Sequence, residues 1–210
     1  KHYSPPMDPY LDVLYEDAHL LILNKQSGLL SVPGKHEDHR DCLESRAVEA
    51  YPDALIIHRL DMETSGVIAL ARDKETHRQI SKQFERRKTQ KSYIARLHGI
   101  LQQDEGSIEL PLICDWPNRP KQMVDHERGK KSLTHYKLID ANDNSTLVEL
   151  TPVTGRSHQL RVHMQALGHE ILGDQLYAEG PALEASSRLL LHASHLKFLH
   201  PISEQALEFH

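Results

Sequence analysis

The sequence predicts an α+β fold with a mixed, largely antiparallel sheet. Strand-like segments outnumber helical ones, and neighbouring strand-like segments are joined by turn residues more often than by helices. Residues 133–140 and 145–151 flank Asn142-Asp143-Asn144, which is a clear hairpin pattern. With 210 residues, of which 39% are hydrophobic, the chain is long enough to bury one core. We expect a tail at 1–10 and a single domain at 11–210.

The first half of the chain contains mostly short strands. In order, the predicted elements are strands at 11–15 and 19–24, a weak helix at 41–50, and strands at 54–59 and 67–71. Asp73 is a typical helix N-cap, and the helix that it begins at 74–87 carries Ile80 and Phe84 four residues apart. The rest of that helix surface is polar, which predicts one narrow buried stripe.

The second half adds strands around a single helix. Residues 92–99 alternate, with Tyr93, Ala95 and Leu97 on one face of the predicted strand. Ser157 is a possible N-cap for a helix that runs to about Leu167 and stops at Gly168. A further strand is predicted within 188–199, which keeps strands in the majority.

The charge of the chain is unevenly distributed. Its formal net charge is −5, which by itself argues against a nucleic-acid partner. Residues 82–96 nevertheless hold six Lys or Arg and one Glu, and residues 117–131 hold five Lys or Arg against two acidic residues. Because a polyanion responds to the local field more than to the total charge, these two basic stretches favour RNA as a partner.

Composition also bears on the cellular setting. Cys42 and Cys114 are too few for a disulfide framework or a four-cysteine zinc site. No apolar run approaches the roughly 18 residues that a membrane span requires, and no secretory signal is visible. We expect a cytoplasmic protein without a membrane partner.

The run at 58–66, His-Arg-Leu-Asp-Met-Glu-Thr-Ser-Gly, has the features of an active-site loop. A predicted strand leads Asp61 into a bend that is rich in hydroxyl side chains and ends in Gly66. Such a bend can direct a carboxylate into a cleft while Thr64 and Ser65 hold the backbone. A surface loop with a salt-bridged aspartate fits the same pattern.

Two further segments combine cations with an aromatic ring or a helix start. Lys91 and Arg96 flank Tyr93 on a predicted strand, an arrangement that suits stacking on a nucleobase while cations hold phosphates. The run at 155–163, Gly-Arg-Ser-His-Gln-Leu-Arg-Val-His, has no acidic residue and lies at a helix start, where anions are favoured. A core tyrosine and a solvated basic helix face are the alternative interpretations.

Together these segments resemble the RluA-type pseudouridine synthases. HRLDxxTSG at 58–66 is similar to the signature around the family's catalytic aspartate, KxYxA at 91–95 to its second motif, and GRxHQLRxH at 155–163 to its third. Gly168, Gly173-Asp174 and Tyr177 follow as in the family, and residues 190–193 match a fourth short motif. The resemblance covers about 20–200 and implies a pseudouridine synthase fold with a central catalytic cleft and flanking helices.

The chain departs from the family pattern at two positions. Gln26 and Glu170 stand where relatives usually have proline. Both positions lie outside the four motifs, so we expect the chemistry to be unaffected.

The resemblance assigns roles to particular residues. Asp61 is the expected essential carboxylate, acting either as nucleophile at C1′ or as base toward the sugar. Tyr93 is expected to stack on the uracil and to assist proton removal at C5, while Arg161 is expected to pair with Asp61 and keep it ionised. Arg59 is the expected wedge beside the flipped nucleotide, and Leu191 or its neighbour Leu190 supplies an apolar wall.

The resemblance implies further substrate contacts on all three motifs. The remaining expected substrate-binding residues are His58, Thr64, Lys91, Arg156, His158 and Gln159.

The implied reaction breaks the bond from C1′ to N1 of uridine, rotates the base and joins C1′ to C5. Nothing is oxidised or added, so we expect no redox cofactor, nucleotide or metal. A hydrolytic glycosidase generally needs two carboxylates across the bond, and Glu63 is poorly spaced from Asp61 for that role. The alternative of another class is a non-catalytic RNA-binding module, which would bind RNA without forming product.

The segment 112–121 resembles the corresponding segment of family members that modify both 23S rRNA and a tRNA anticodon stem-loop. We also expect no S4 RNA-binding domain before His58, which is similar to those members. We therefore expect stem-loops of these RNAs as partners. We also expect the chain to act as a monomer.

Overall fold

The computed structural model describes residues 2–210 and divides the chain into two compact units. The first unit comprises the chain up to Lys91 together with His192–His210, and the second comprises Ser92–Leu191. The helices are α1 (Leu43–Ala50), α2 (Lys74–Glu85), α3 (Gln159–Ala166) and α4 (Gly180–Glu184). The strands are β1 (Val13–Glu16), β2 (Leu20–Lys25), β3 (Leu55–Ile56), β4 (Ser65–Ala71), β5 (Gln90–His98), β6 (Glu105–Glu109), β7 (Leu112–Cys114), β8 (Gln122–Val124), β9 (Leu133–Ala141), β10 (Ser145–Pro152), β11 (Leu191–Leu199) and β12 (Ala206–Phe209).

The first unit is built on strands in the order β1-β2-β4-β11-β12, with β3 also paired to β4. The pairings are antiparallel except for β4 with β11, which is parallel. Strand β4 is buried along its whole length, which fits the continuous apolar run at 67–71. Helix α2 packs Ile80 into the core of this unit, as its narrow apolar stripe predicts. Asp73 caps α2 by accepting a hydrogen bond from the Thr76 N–H, as predicted.

Gly66 is the point at which the 58–66 run joins the sheet. Its φ is +123°, and a Cβ at this position would lie 2.2 Å from the carbonyl oxygen of Ala193. Only glycine permits this close approach, because a side chain would collide with the backbone of β11. The residue therefore fixes the end of the run against β11.

The second unit contains the antiparallel strand order β5-β10-β9-β6 and a separate hairpin of β7 with β8. The predicted β9–β10 hairpin is confirmed. Ala95 and Leu97 project into the core of this unit with Tyr93 packed at its margin, as the alternation predicts. Helix α3 covers this core with Leu160 and Met164.

Two local predictions need correction. The strand expected at 54–59 is reduced to Leu55–Ile56. The N-cap of α3 is His158 rather than Ser157, and His158 has a left-handed φ of +55°. Residues 2–10 form no helix or strand, but they are bound to the first unit by hydrogen bonds, for example from the Arg46 guanidinium to the carbonyls of Pro6 and Tyr10.

Among residues 2–210, the structure contains no helix with the length and apolar character needed to cross a membrane.

Candidate active site

The backbone around Asp61 is held by a buried lysine at the end of β2. The Lys25 side chain is fully buried, and its Nζ donates a hydrogen bond of 2.9 Å to the carbonyl of Met62. The same Nζ donates to the carbonyls of Gln26 and Leu29 at 2.8 and 2.6 Å. The Gly28 N–H also donates to Met62 at 2.8 Å. One cation therefore ties the segment after β2 to the Asp61 loop, since a buried ammonium group requires such partners.

Two serines complete this support. The Ser31 hydroxyl donates to the carbonyl of Leu60 at 2.7 Å and accepts from the Leu60 N–H at 3.1 Å. The Ser27 hydroxyl donates to the carbonyl of Glu63 at 2.7 Å. The backbone on both sides of Asp61 is thus fixed from the 25–31 segment, which makes the loop a rigid support for the carboxylate.

Within the loop, exposure differs between the expected site residues. Asp61 is half-buried, Arg59 is exposed and Thr64 is buried. The Thr64 N–H donates to the carbonyl of Asp61 at 3.1 Å, which closes the turn. Ser65 continues the loop into β4 and shares a hydrogen bond of 2.8 Å with Nδ1 of His192 on β11.

The His58 ring is held by contacts within the first unit. Its Nε2 accepts a hydrogen bond of 3.0 Å from the Ala69 N–H, and its ring stacks on Phe84 with centroids 4.5 Å apart. Burial, and to a lesser degree the nearby Lys91 cation, lowers the pKa of His58 to about 3. The ring is therefore neutral at physiological pH. Burial also lowers the pKa of Lys91, whose Nζ lies 6.0 Å from the Phe84 ring centroid.

In the second unit, Arg161 and Asp174 form a buried ion pair. Nε and Nη2 of Arg161 donate to the two carboxylate oxygens of Asp174 at 2.9 and 2.6 Å. The side chains are 3% and 1% exposed, so the pair is shielded from water. Asp174 also accepts from the backbone N–H groups of Leu176 and Tyr177. The bidentate geometry fixes the plane of the guanidinium.

A second contact joins α3 to Tyr177. Nδ1 of His158 shares a hydrogen bond with the Tyr177 hydroxyl, and that hydroxyl also accepts from the Gln122 N–H at 2.9 Å. The Arg161 guanidinium lies 5.3 Å from the Tyr177 ring centroid. Tyr177 therefore links the start of α3, the guanidinium and strand β8.

Gln159 is 3% exposed, and its amide groups bond within the second unit. Its Nε2 donates to the Leu133 carbonyl and to the Thr134 hydroxyl, while its Oε1 accepts from the Thr154 hydroxyl and from the Arg156 N–H. The Gln159 amide therefore fixes the backbone at Arg156. Arg156 itself is half-buried, and its Nε donates to a backbone carbonyl at 3.1 Å.

Tyr93 and Leu191 share one hydrophobic environment in the second unit. Leu191 is 3% exposed within the core, and half-buried Tyr93 packs against the same cluster. On β5, Tyr93 is paired with Leu150 of β10, so its backbone is fixed by the sheet.

Among the described residues, one group has the geometry of a metal site. His195, Glu208 and His210 place one potential ligand atom each within 4.8 Å of one another on β11 and at the end of β12. None of the three belongs to the motifs at 58–66, 91–95 or 155–163.

Comparison with known proteins identifies the family. A family model described as RNA pseudouridylate synthase matches residues 19–166, which include all three motifs. The chain belongs to this family. It is an RNA pseudouridine synthase and hence an isomerase.

Individual relatives agree with this assignment. The Vibrio cholerae protein described as dual-specificity RNA pseudouridine synthase RluA is 53% identical over 96% of this chain and 82% of its own length. The Escherichia coli K12 protein of the same description is 50% identical over the whole chain and 96% of its own length.

Solved structures confirm the predicted α+β fold of the synthase. Human RNA pseudouridylate synthase domain containing 1 superposes with a TM-score of 0.80 at 28% identity, covering 98% of this chain and 84% of that chain. Human RNA pseudouridylate synthase domain containing 4 has a TM-score of 0.75 at 27% identity, covering 94% and 87%.

Sequence reasoning missed two residues that support the synthase's site. Lys25 lies outside the motifs, although a lysine that ends an apolar strand beside Ser27-Gly28 is an unusual signal. Asp174 follows the third motif in the sequence. Its position, 13 residues from Arg161, gives no local pattern that predicts the pair.

Proposed function

We propose that this synthase modifies uridines in stem-loops of two RNAs, 23S rRNA and a tRNA anticodon stem-loop, with Asp61 as its essential carboxylate. The description of its relatives as dual-specificity enzymes supports two RNA substrates. The observation that carries the role of Asp61 is the rigid loop beneath it, in which Lys25, Ser27 and Ser31 hold the flanking carbonyls. Fixed positioning is what a reacting carboxylate requires.

In the proposed reaction, the bond between C1′ and N1 breaks, the uracil rotates, and C1′ bonds to C5. The proton on C5 leaves and N1 gains one, so atoms and charges balance without an oxidant. Asp61 acts on the ribose, either as nucleophile at C1′ or as base. Arg59, exposed on the same loop, is the side chain available to fill the stack that the flipped uridine leaves.

Two residues of the second unit, Tyr93 and Arg161, also have roles in the proposed reaction. Tyr93 stacks on the uracil and assists removal of the C5 proton, and its fixed position beside Leu191 suits both tasks. The ion pair with Asp174 holds Arg161 as a cation in one orientation, ready to keep a carboxylate ionised. His158 and Arg156 supply phosphate contacts near the start of α3.

The direct test is a pseudouridine map. Cell RNA from strains with and without the gene would be tagged chemically at pseudouridine and analysed by mass spectrometry. Loss of sites in both 23S rRNA and tRNA, restored by the purified protein on the matching stem-loops, is the expected result. Loss of sites in one RNA class alone would contradict the dual specificity.

Tyr93→Ala should weaken RNA binding more than Tyr93→Phe does. Base stacking on an aromatic face is worth about 1–3 kcal/mol, and phenylalanine keeps that face. Phenylalanine should still reduce turnover, because it lacks the hydroxyl that assists proton removal. Titration of both variants with the anticodon stem-loop, followed by single-turnover kinetics, measures the two effects. Equal affinities for the Ala and Phe variants would show that the ring does not stack on the base.

Neutralising Arg86, Arg87 and Lys88 should flatten the salt dependence of RNA binding without changing the choice of uridine. All three are exposed at the end of α2. Removing a cation that neutralises one phosphate lowers the slope of log affinity against log salt by about 0.7–0.9. A matched control neutralises Lys35, Lys74 and Lys137, which lie outside both basic stretches.

In the same titration, an anticodon stem-loop should bind more tightly and be modified faster than a blunt duplex of equal length. A loop uridine is already partly unstacked, which lowers the few kcal/mol that flipping costs. Equal binding and equal modification of the duplex would contradict the proposed substrate. An unchanged slope of log affinity against log salt in the variant with Arg86, Arg87 and Lys88 neutralised would contradict the proposed phosphate contacts.

Activity should survive exhaustive treatment with a chelator. The proposed rearrangement is redox-neutral and its charges are handled by Asp61, Tyr93 and Arg161. Turnover is compared before treatment, after treatment and after addition of zinc. A lasting loss that zinc restores would show that a metal takes part.

We further propose that the synthase acts as a monomer in the cytoplasm, where bacterial ribosomal and transfer RNAs are found. Light scattering at assay concentration tests the monomeric state. Fractionation of cells tests the cytoplasmic location.

A further inference from the structure

The only tryptophan of the chain lies at the tip of a hairpin that the proposed chemistry does not use. Trp116 is 64% exposed, at the turn between β7 and β8. The guanidinium of Arg119 lies over one face of the indole, 4.7 Å from its centroid. With one face covered and most of the residue exposed, the opposite face is open to solvent. An open aromatic face of this kind can stack on a nucleobase, as in proteins that bind single-stranded nucleic acid.

The turn that carries Trp116 is well ordered. Residues Trp116–Asn118 form a single 3-10 turn. The Asn118 N–H donates to the carbonyl of Asp115 at 3.0 Å, and the Lys121 N–H donates to the carbonyl of Asn118 at 3.0 Å. The Asp115 N–H also donates a hydrogen bond of 2.9 Å to the carbonyl of Lys121, which closes the loop. A ring presented on such a turn loses little conformational entropy when it binds.

The base of the hairpin is joined to the third motif. Leu112 of β7 is buried in a cluster with Val162 and Tyr177. The Gln122 N–H of β8 donates to the Tyr177 hydroxyl, which also bonds to His158. The hairpin is therefore not an independent flap, because its orientation is set by residues that flank the proposed phosphate contacts.

The segment that carries the tip has a net positive charge. Residues 115–131, which include Arg119 and Lys121, hold five Lys or Arg against three acidic residues, one of which, Asp115, is in the turn itself. Arg119 is exposed, so its charge is accessible to a partner in solution. An open aromatic face beside a planar cation and within a positive field suits an unpaired nucleotide, whose base stacks while its phosphate meets the cations.

We propose that Trp116 and Arg119 form a stacking platform for an unpaired base of the substrate RNA, distinct from the uridine that reacts. The proposal rests on the proposed function, because it requires a substrate with unpaired loop nucleotides. The platform would bind a second loop base and so contribute to the choice of stem-loop over duplex.

The single tryptophan makes the test direct. Its fluorescence in the wild-type protein is followed while the anticodon stem-loop is added, and access of acrylamide to the ring is measured at saturation. The expected result is quenching of the indole and protection from acrylamide with the stem-loop, and neither effect with a blunt duplex. Unchanged emission and unchanged access at saturating stem-loop would overturn the proposal.

Variants give an independent measurement. Trp116→Ala should weaken stem-loop binding about 5- to 100-fold, with a smaller loss in Trp116→Phe. Arg119→Lys, which keeps the charge and loses the planar group, should give an intermediate loss. Ile139→Ala, which removes another half-exposed apolar side chain of the second unit, is the control and should bind normally.

The outcomes separate the two proposals. If the wild-type protein neither binds nor modifies the stem-loop, the proposed substrate is wrong. If it binds and modifies the stem-loop while Trp116→Ala matches Ile139→Ala, the platform alone is wrong. A platform for a protein partner instead of RNA would give this second result.

Discussion

Asp61→Asn should abolish pseudouridine formation while RNA affinity stays within about tenfold of the wild type. Asparagine has nearly the same shape but cannot act as nucleophile or base toward the ribose, so turnover should fall by about 10³-fold or more. The loop itself should persist, because the hydrogen bonds that hold it run to the backbone carbonyls of Leu60, Met62 and Glu63. Single-turnover assays and binding titrations on the same stem-loop measure the two quantities.

The control for this variant is Asp38→Asn, which removes an exposed carboxylate of the first unit outside the motifs. It should retain full activity. Substantial turnover by purified Asp61→Asn, prepared free of wild-type enzyme, would refute the assignment of Asp61. A large loss of RNA affinity would instead show that the carboxylate acts mainly in binding.

Asp174→Ala should destabilise the protein by about 3–5 kcal/mol. The substitution leaves the Arg161 guanidinium without its bidentate partner in a site shielded from water, and breaking one side of a buried pair is costly. It also removes the acceptor for the Leu176 and Tyr177 N–H groups. Urea unfolding at equilibrium gives the change in the free energy of unfolding.

The comparison variant for Asp174 is Glu75→Ala. Glu75 pairs with Arg78 on the exposed surface of α2, where water screens the interaction, so its loss should have a far smaller effect. If Asp174→Ala were no more destabilising than Glu75→Ala, the buried pair would not contribute to stability as we infer.

Local patterns in the sequence predicted most of the fold. The β9–β10 hairpin, the buried strand β4 and the Asp73 cap each depend on residues that are close together in the chain. His158 shows the limit of such patterns, because its left-handed conformation ahead of α3 accompanies a bond to Tyr177, 19 residues away. The short β3 likewise depends on pairing with β4, which the sequence of 54–59 does not encode.

The candidate site was predictable as motifs but not as a set of contacts. Residue types and their spacing pointed to Asp61, Tyr93 and Arg161, and the family resemblance supplied their roles. The partners that hold these residues are distant in sequence: Lys25 reaches the backbone of Met62 across 37 positions. Burial of a cation becomes evident only when its surroundings are known, so neither Lys25 nor Asp174 could be assigned a partner from sequence alone.

The anchored Asp61 loop has a consequence for how substrates are sorted. A loop tied down at Leu60, Met62 and Glu63 cannot reshape itself around different RNAs, so the deformation must come from the nucleic acid. Two unrelated RNAs can then share one enzyme if both offer a uridine that swings out at low cost, whatever their surrounding sequence. Weakening the closing base pair of a poor stem-loop should accelerate its modification, while the amide protons of Gly28, Leu60 and Thr64 should exchange equally slowly with either RNA bound.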